Sequence, residues 1–330
     1  MRAFYSQGES VRAITIARYD SQLIPDALML KTIHAGKLWL VTQPDHSALA
    51  GYLAAHWGNT VFSRPGAYGA VLDPERLRAE AVFAIAEHDN GWWEWEANPD
   101  RSVEDGFPLG LGEVLKDQQA GMDRWRSGLA RFSHNPMVNL LVSSHAYWLY
   151  AARALSQPDP VFTHPLFWKG APEQLYPGSI EAPLAFMELL AARQKSWIEE
   201  LRADPATVAW TEPANLAPLV RLLQLCDGLS LALSSALIPA RSGATQGLGE
   251  DAFELHNVPR RSWADRCTIT VTPLGNRRIE LDPFPFDVHP LIVTMPARIV
   301  SLPCEKPAHF HTWSHAHARE FVQFQFVART

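Results

Sequence analysis

The 330-residue sequence is short of cysteine, of charge and of long apolar runs, and each shortage removes a class of protein. Its three cysteines, Cys226, Cys267 and Cys304, are far apart, odd in number and absent from any CxxC pair. That spacing supports neither a disulfide framework nor a thiolate zinc site, and the three read as reduced core residues. Charged residues make up 19% of the chain, below the roughly 25% of an average soluble protein. The 29 Lys and Arg against 35 Asp and Glu leave a net charge of −6, which argues against a dedicated nucleic-acid binder with a phosphate-neutralising basic surface. No stretch approaches the ~18 consecutive apolar residues of a membrane span. The first twenty residues also lack the apolar core and small-residue cleavage site of a signal peptide. The expectation is a soluble, cytoplasmic protein whose partner is a small molecule, with no nucleic-acid or membrane partner. GxSxG, GxxxxGK[ST], GxGxxG after a strand and HExxH are all missing, so serine-hydrolase, phosphate-loop, dinucleotide and zincin readings have no support.

What is plentiful is tryptophan (12) and proline (25), which predicts aromatic walls and many turns. Residues 1–42 read as short strands, VRAITIARY and GKLWLVTQ. From Pro44 the pattern becomes helical: DHSALAGYLAAHWG with Asp45 as its cap, then DPERLRAEAVFAIAEHDNG between Asp73-Pro74 and an Asn90-Gly91 stop. LKDQQAGMDRWRSGLARF reads as an exposed helix and NPMVNLLVSSHAYWLYAARAL as a buried one opened by Asn135 and Pro136. Residues 156–180 read as proline-rich loop. APLAFMELLAARQKSWIEELRAD and EPANLAPLVRLLQLCDGLSLALSSAL follow, the latter apolar around nearly its whole circumference and therefore central. From Cys267, CTITVTPLGNRRIELDPFPF alternates across a Gly275-Asn276 turn and LIVTMPARIVSLP continues the strand texture. The predicted architecture is mainly α: a helical domain over 43–240, a β lead-in over 1–42 and a small β-rich appendage over 241–330.

The most unusual polar residues fall on helices that otherwise look buried. His46 opens the first, His88-Asp89 closes the second, His145 sits in VSSHAYWLY, and Asp227 interrupts LLQLCDGLSLAL. A lone histidine on an apolar helix is more often a hydrogen-bonded core residue than a ligand. Burying several ionisable groups is nevertheless costly unless they pair or share a metal, and one cation would satisfy these together. Adjacent helical residues project about 100 degrees apart, so His88 and Asp89 can face one interhelical site, and a carboxylate can bridge two metals, with His145 serving the second.

One His, then an adjacent His-Asp pair, then a distant Asp on a late helix is an order that resembles the HD superfamily of metal-dependent phosphohydrolases. The matching pieces are His46 in QPDHSALAGYLA, His88-Asp89 in AIAEHDNGW and Asp227 in LLQLCDGLSLAL. The resemblance covers roughly residues 42–240. It implies an HD-like helical bundle with His46, His88, Asp89 and Asp227 on a divalent metal and His145 on a second ion. The pair is followed here by Asn90, Gly91 and Trp92 rather than by the superfamily's usual small apolar residue, Gly and polar residue. More closely, LVTQPDHSALAGYLAAHWG, AIAEHDNGWWEWE, LVSSHAYWL, LCDGLSLAL and DPFPF look like a family of uncharacterised bacterial proteins known as a domain of unknown function, which implies a shared fold and site but no substrate.

The implied activity is hydrolysis of a small phosphoester by water activated on one or two divalent ions, with Mn, Mg, Fe, Ni and Zn all compatible. Asp89 and His145 are the candidate catalytic residues, and Trp92, Lys116 and Arg124 the candidate substrate pocket. A di-iron oxygenase on the same fold and a non-catalytic small-molecule or partner-binding protein are the alternatives. Glu87 is a candidate for orienting an imidazole. His309, His311, His315 and His317 in HFHTWSHAHARE, if on a strand, put alternate imidazoles on one face, a geometry suited to adventitious metal binding.

Overall fold

The computed structural model describes residues 30–110, 117–155, 159–164, 180–236 and 246–329. The strand-like VRAITIARY segment and Lys116 lie outside the described residues. Strands β1 (Leu30–His34) and β2 (Lys37–Val41) form a tight hairpin through Ala35 and Gly36, both at positive φ. The helices are α1 (Gln43–Ala55), α2 (Pro74–Ala86), the short α3 (Trp93–Ala97), α4 (Gln118–Arg131), α5 (Pro136–Ala154), α6 (Glu181–Ala203) and α7 (Pro213–Ser234). Then come β3 (Phe253–Pro259), β4 (Arg266–Gly275), β5 (Arg278–Asp282), β6 (Leu291–Ser301), the short helix α8 (Phe310–Ala316) and β7 (Glu320–Ala328).

Local chemistry explains most of the boundaries. Asp73 and Asn135 each accept the backbone N–H three residues on, of Arg76 and Val138, and each is followed by proline in the first turn. At α1 the cap is Thr42 rather than Asp45. The Thr42 oxygen accepts from the Asp45 N–H (3.1 Å) and its hydroxyl donates to the Asp45 carboxylate (2.7 Å). The β4–β5 hairpin turns where Gly275, Asn276 and Arg277 all take positive φ.

The architecture corrects the mainly-α expectation. The protein is mixed α/β, 46% helical and 21% strand, with one curled seven-stranded sheet in the order β1-β2-β6-β7-β5-β4-β3. All neighbours are antiparallel except β5 and β7. Two causes account for the difference. β3 and β7 alternate buried and exposed residues, as in Val322, Phe324 and Phe326 inside with Phe321 68% exposed, and neither was read as a strand. The β1–β2 hairpin, moreover, pairs through β2 with β6, some 260 residues away, which no local pattern reports.

Against this sheet lies α7, with every residue from Asn215 to Ser234 buried. Among the described residues it is the one helix long and apolar enough to cross a membrane, and it is enclosed entirely within the protein. It packs on α1, α5 and β3, while α1 packs on α2 and α5 on α2 and α6. Gly51 permits the α1–α2 contact, since a Cβ there would sit 2.4 Å from the Ala86 Cβ. Those two helices position His46 and His88, so Gly51→Ala is expected to destabilise the protein by about 1–3 kcal/mol through overpacking. The denaturant midpoint checks this, and an unchanged midpoint would show that the helices separate freely.

Candidate metal centre

Five segments converge on one buried point. α1 supplies His46, the turn after α2 supplies His88 and Asp89, α5 supplies His145, the loop before residue 165 supplies His164, and α7 supplies Asp227. His88 and Asp89 lie in a turn, not on the helix expected for them, because α2 ends at Ala86. The Asp89 side chain is 12% exposed, and the Asp227 side chain and all four imidazoles 5% or less, so Asp89 is the least enclosed of the six.

The outward hydrogen bonds decide which nitrogens face inward. His88 Nδ1 lies 2.8 Å from the Ile85 carbonyl oxygen, which only accepts, so Nδ1 carries a proton and the ring turns Nε2 inward, the nitrogen left bare whenever the ring is neutral. That Nε2 is buried and has no hydrogen-bond partner. The Ser230 hydroxyl donates to the Asp227 carbonyl (2.8 Å) and accepts from His46 Nδ1–H (2.9 Å), which likewise turns Nε2 inward. An imidazole anchored through one nitrogen and presenting the other is the usual posture of a metal ligand. The Ile85 carbonyl and Ser47 hydroxyl anchor His88, the part assigned from sequence to Glu87.

The spacing suits an ion. Donor atoms about 2.1 Å from a metal stand about 3.0 Å apart at right angles and about 3.4 Å apart at tetrahedral angles. His46 Nε2 is 2.9 Å from Asp89 Oδ2, and His88 Nε2 is 3.7 Å from Asp89 Oδ2 and 3.4 Å from Asp227 Oδ1. The other oxygen of Asp227 faces the remaining pair, with His145 Nε2 at 3.3 Å and His164 Nε2 at 3.0 Å. Asp227 thus offers one oxygen to the His46/His88/Asp89 group and the other to His145/His164. His46, His88 and Asp227 each offer one donor atom within 4.8 Å of the others.

The electrostatics call for positive charge. Burial pushes the Asp89 carboxyl up, but the charge attraction of His88 and the close contact with His46 outweigh it and leave the pKa below the ordinary value. Asp227 is held well below that value against its own burial by the charge attraction of His88 and by the hydrogen bond with His164. His88 is raised to about 9 despite burial, because Asp89 and Asp227 attract its proton. Burial keeps His145 neutral, lowering it to about 3, and lowers His164 as well. Two buried carboxylates among neutral imidazoles leave two negative charges, which a divalent cation matches. Without one, the His88 proton stands in. Ser230→Ala, which removes the anchor of His46 and no donor atom, is expected to weaken metal binding about 10–100-fold with the fold retained. A competition titration with a chromophoric chelator checks this, and unchanged affinity would remove His46 from the donor set.

Gly91 lets the Asn90–Trp92 turn lie against α4, since a Cβ there would meet the Arg124 carbonyl oxygen at 2.1 Å. Trp92 therefore lies under the Arg124 guanidinium, 4.4 Å from the ring centre, with Trp95 at 5.4 Å. Glu96, beside them, accepts from the Gln43 N–H (2.9 Å), and burial pushes it up to about 8. Of the pocket residues expected from sequence, Trp92 and Arg124 are thus brought together, and Lys116 lies outside the described residues. Arg131 instead bonds Glu94 and stacks on Trp93.

His164 escaped the sequence reading because it lies in a proline-rich loop with no periodicity. Its only signal is a histidine inside the apolar VFTHPLF. The C-terminal histidines are not on a strand: His311 and His315 pair four residues apart on α8, Nε2 to Nε2 at 3.3 Å, while His309 caps that helix and His317 stacks on Trp313. The cysteines are free, and only Cys226 is in the core, with Cys267 and Cys304 half-buried.

Fold and site together define a mixed α/β protein built round a buried His/Asp cluster suited to a metal. Residues 29–302 match the family described as "Protein of unknown function (DUF3891)", and the chain belongs to that family. The HD-superfamily resemblance drawn from His46, His88-Asp89 and Asp227 is corrected by the same finding. No family of that superfamily matches, and a helical bundle is replaced by helices packed on a large sheet. An ordered set of metal-type residues is not specific to one fold. No curated protein and no solved structure matches the chain.

Proposed function

We propose that the chain is a divalent-metal protein whose buried centre hydrolyses a small, anionic, phosphoester-type molecule. The observation that carries this reading is the convergence of four imidazoles and two carboxylates with the Nε2 atoms of His46 and His88 turned inward. A divalent ion in such a donor set supplies Lewis acidity and brings the ionisation of water toward neutral pH. Asp89, the least enclosed of the cluster and with its backbone held by the hydrogen bond from its own N–H to Ser47 (3.2 Å), would accept a proton from water and direct its attack. Trp92, three residues along the chain from Asp89, and the Arg124 guanidinium stacked on it would supply one apolar and one cationic element to a substrate.

A second reading draws on the nitrogen-rich donor set, which suits iron as well as zinc: activation of dioxygen at the same residues. Both are tested on the full chain by metal analysis after aerobic and anaerobic purification. Hydrolysis of p-nitrophenyl phosphate and its diester is then followed with Mn, Mg, Ni, Zn or Fe restored, alongside oxygen uptake. Metal-dependent turnover that disappears in His88→Ala supports hydrolysis. Absence of turnover from protein shown to hold metal overturns it, and oxygen uptake by the iron form would then establish the second reading.

A further inference from the structure

Arg221, on α7, is 1% exposed, and among the described residues no carboxylate forms an ion pair with it. Its Nη1 donates to the Thr163 carbonyl (2.7 Å) and to Gln224 Oε1 (3.0 Å), and its Nη2 to the His256 carbonyl, all neutral acceptors. Those bonds use three of the five guanidinium N–H groups, and the buried Nε has no partner. Neutral oxygens satisfy hydrogen bonds but do not neutralise a buried charge. Burial, with Arg266 adding to it, pushes Arg221 down to about 9.

The surroundings add charge of the same sign. Arg221 and Arg266 line one cavity of about 580 Å³ together with His164, Thr163, His256 and Thr268. Among the described residues neither arginine makes an ion pair. Arg266 is held over the Trp263 ring at 4.8 Å, and Glu254 reaches His256 (3.5 Å) rather than either guanidinium. A β-bulge between Leu255 and Val258, with Asn257 at φ 55, shapes the same wall, and bulges commonly re-aim side chains beside binding sites. Two arginines at one cavity, with no acid among its described lining residues, present the charge and the forked donors that an oxyanion takes. The volume falls within the range of small-molecule sites, about 300–1,000 Å³, larger than a lone phosphate needs.

We infer that this cavity binds the phosphate-type oxyanion group of a small molecule through Arg221 and Arg266. The site lies one imidazole away from the metal centre, because His164 lines the cavity and contacts Asp227. It does not depend on the metal reading. The test is therefore run on chelator-treated full-length protein, by calorimetric titration and phosphorus NMR with inorganic phosphate and with sulfate. Saturable binding is expected, weakened about tenfold or more by Arg266→Gln, which changes an exposed residue. Arg221→Lys, which keeps the charge and loses the fork, is expected to weaken it as well, with circular dichroism confirming the fold. No saturable binding, or binding that Arg266→Gln leaves unchanged, overturns the inference. Metal content measured separately on the untreated protein keeps this outcome distinct from failure of the metal centre.

Discussion

Asp227→Asn is expected to abolish metal binding while the chain stays folded. Loss of an outer-shell partner already costs about 10–100-fold in metal affinity, so loss of the carboxylate facing both histidine pairs is expected to exceed a hundredfold. The substitution keeps the shape of a fully enclosed side chain on a helix with no exposed turn between Asn215 and Ser234, so no cavity opens. The effect should reach both donor groups at once, since Oδ1 faces His88 and Oδ2 faces His145 and His164. Metal-to-protein ratios after gel filtration, read beside far-ultraviolet circular dichroism, check it. Retention of wild-type metal content by a folded Asn variant would remove Asp227 from the centre.

The second large effect is on stability. An ion that binds only the folded state stabilises it by about 4 kcal/mol at a thousandfold excess over Kd, which for a chain of this size moves the melting temperature by roughly 10 °C. The pH dependence has a definite sign. In the metal-free protein His88 is raised to about 9 from an unfolded value near 6.5. Its contribution is fully present below pH 6.5 and is lost as the pH rises through about 9, at up to about 1.4 kcal/mol per unit. A metal ion held by the same groups would replace that proton, and the metal-loaded protein would keep its stability there. The metal-induced rise in melting temperature should therefore grow between pH 7 and 9.5, as scanning calorimetry of chelated and reloaded protein would show. A rise that shrinks over that window would mean that the two carboxylates and the ion do not share one site.

Much of the helical half was legible because its signals are local. Asp73-Pro74 and Asn135-Pro136 mark helix starts, and the predominance of apolar residues around nearly the whole circumference of residues 213–234 marks the central helix. The polar intruders His46, His145 and Asp227 stood out for the same reason: an ionisable group on an apolar helix contradicts its surroundings. What was not legible is non-local or aperiodic. The pairing of Leu38 with Val300 closes the sheet across the whole chain. His164 comes from a loop where no period points inward. Arg221 gives no signal in the sequence beyond one charge on an apolar helix, and the cavity beside it, with no acid among the described lining residues, gives it meaning. The HD resemblance rested on the order of four residues, and order constrains a site more than it constrains the scaffold that carries it.

The most direct test is a crystal structure of the metal-loaded chain with anomalous scattering recorded at the manganese, iron, nickel and zinc edges. Expected is a peak within about 2.0–2.3 Å of the inward nitrogens of His46 and His88 and an oxygen of Asp227, disappearing in Asp227→Asn. A metal-loaded crystal with no peak there, and with His46 and His88 bonded only to Asp89 and Asp227, would contradict it.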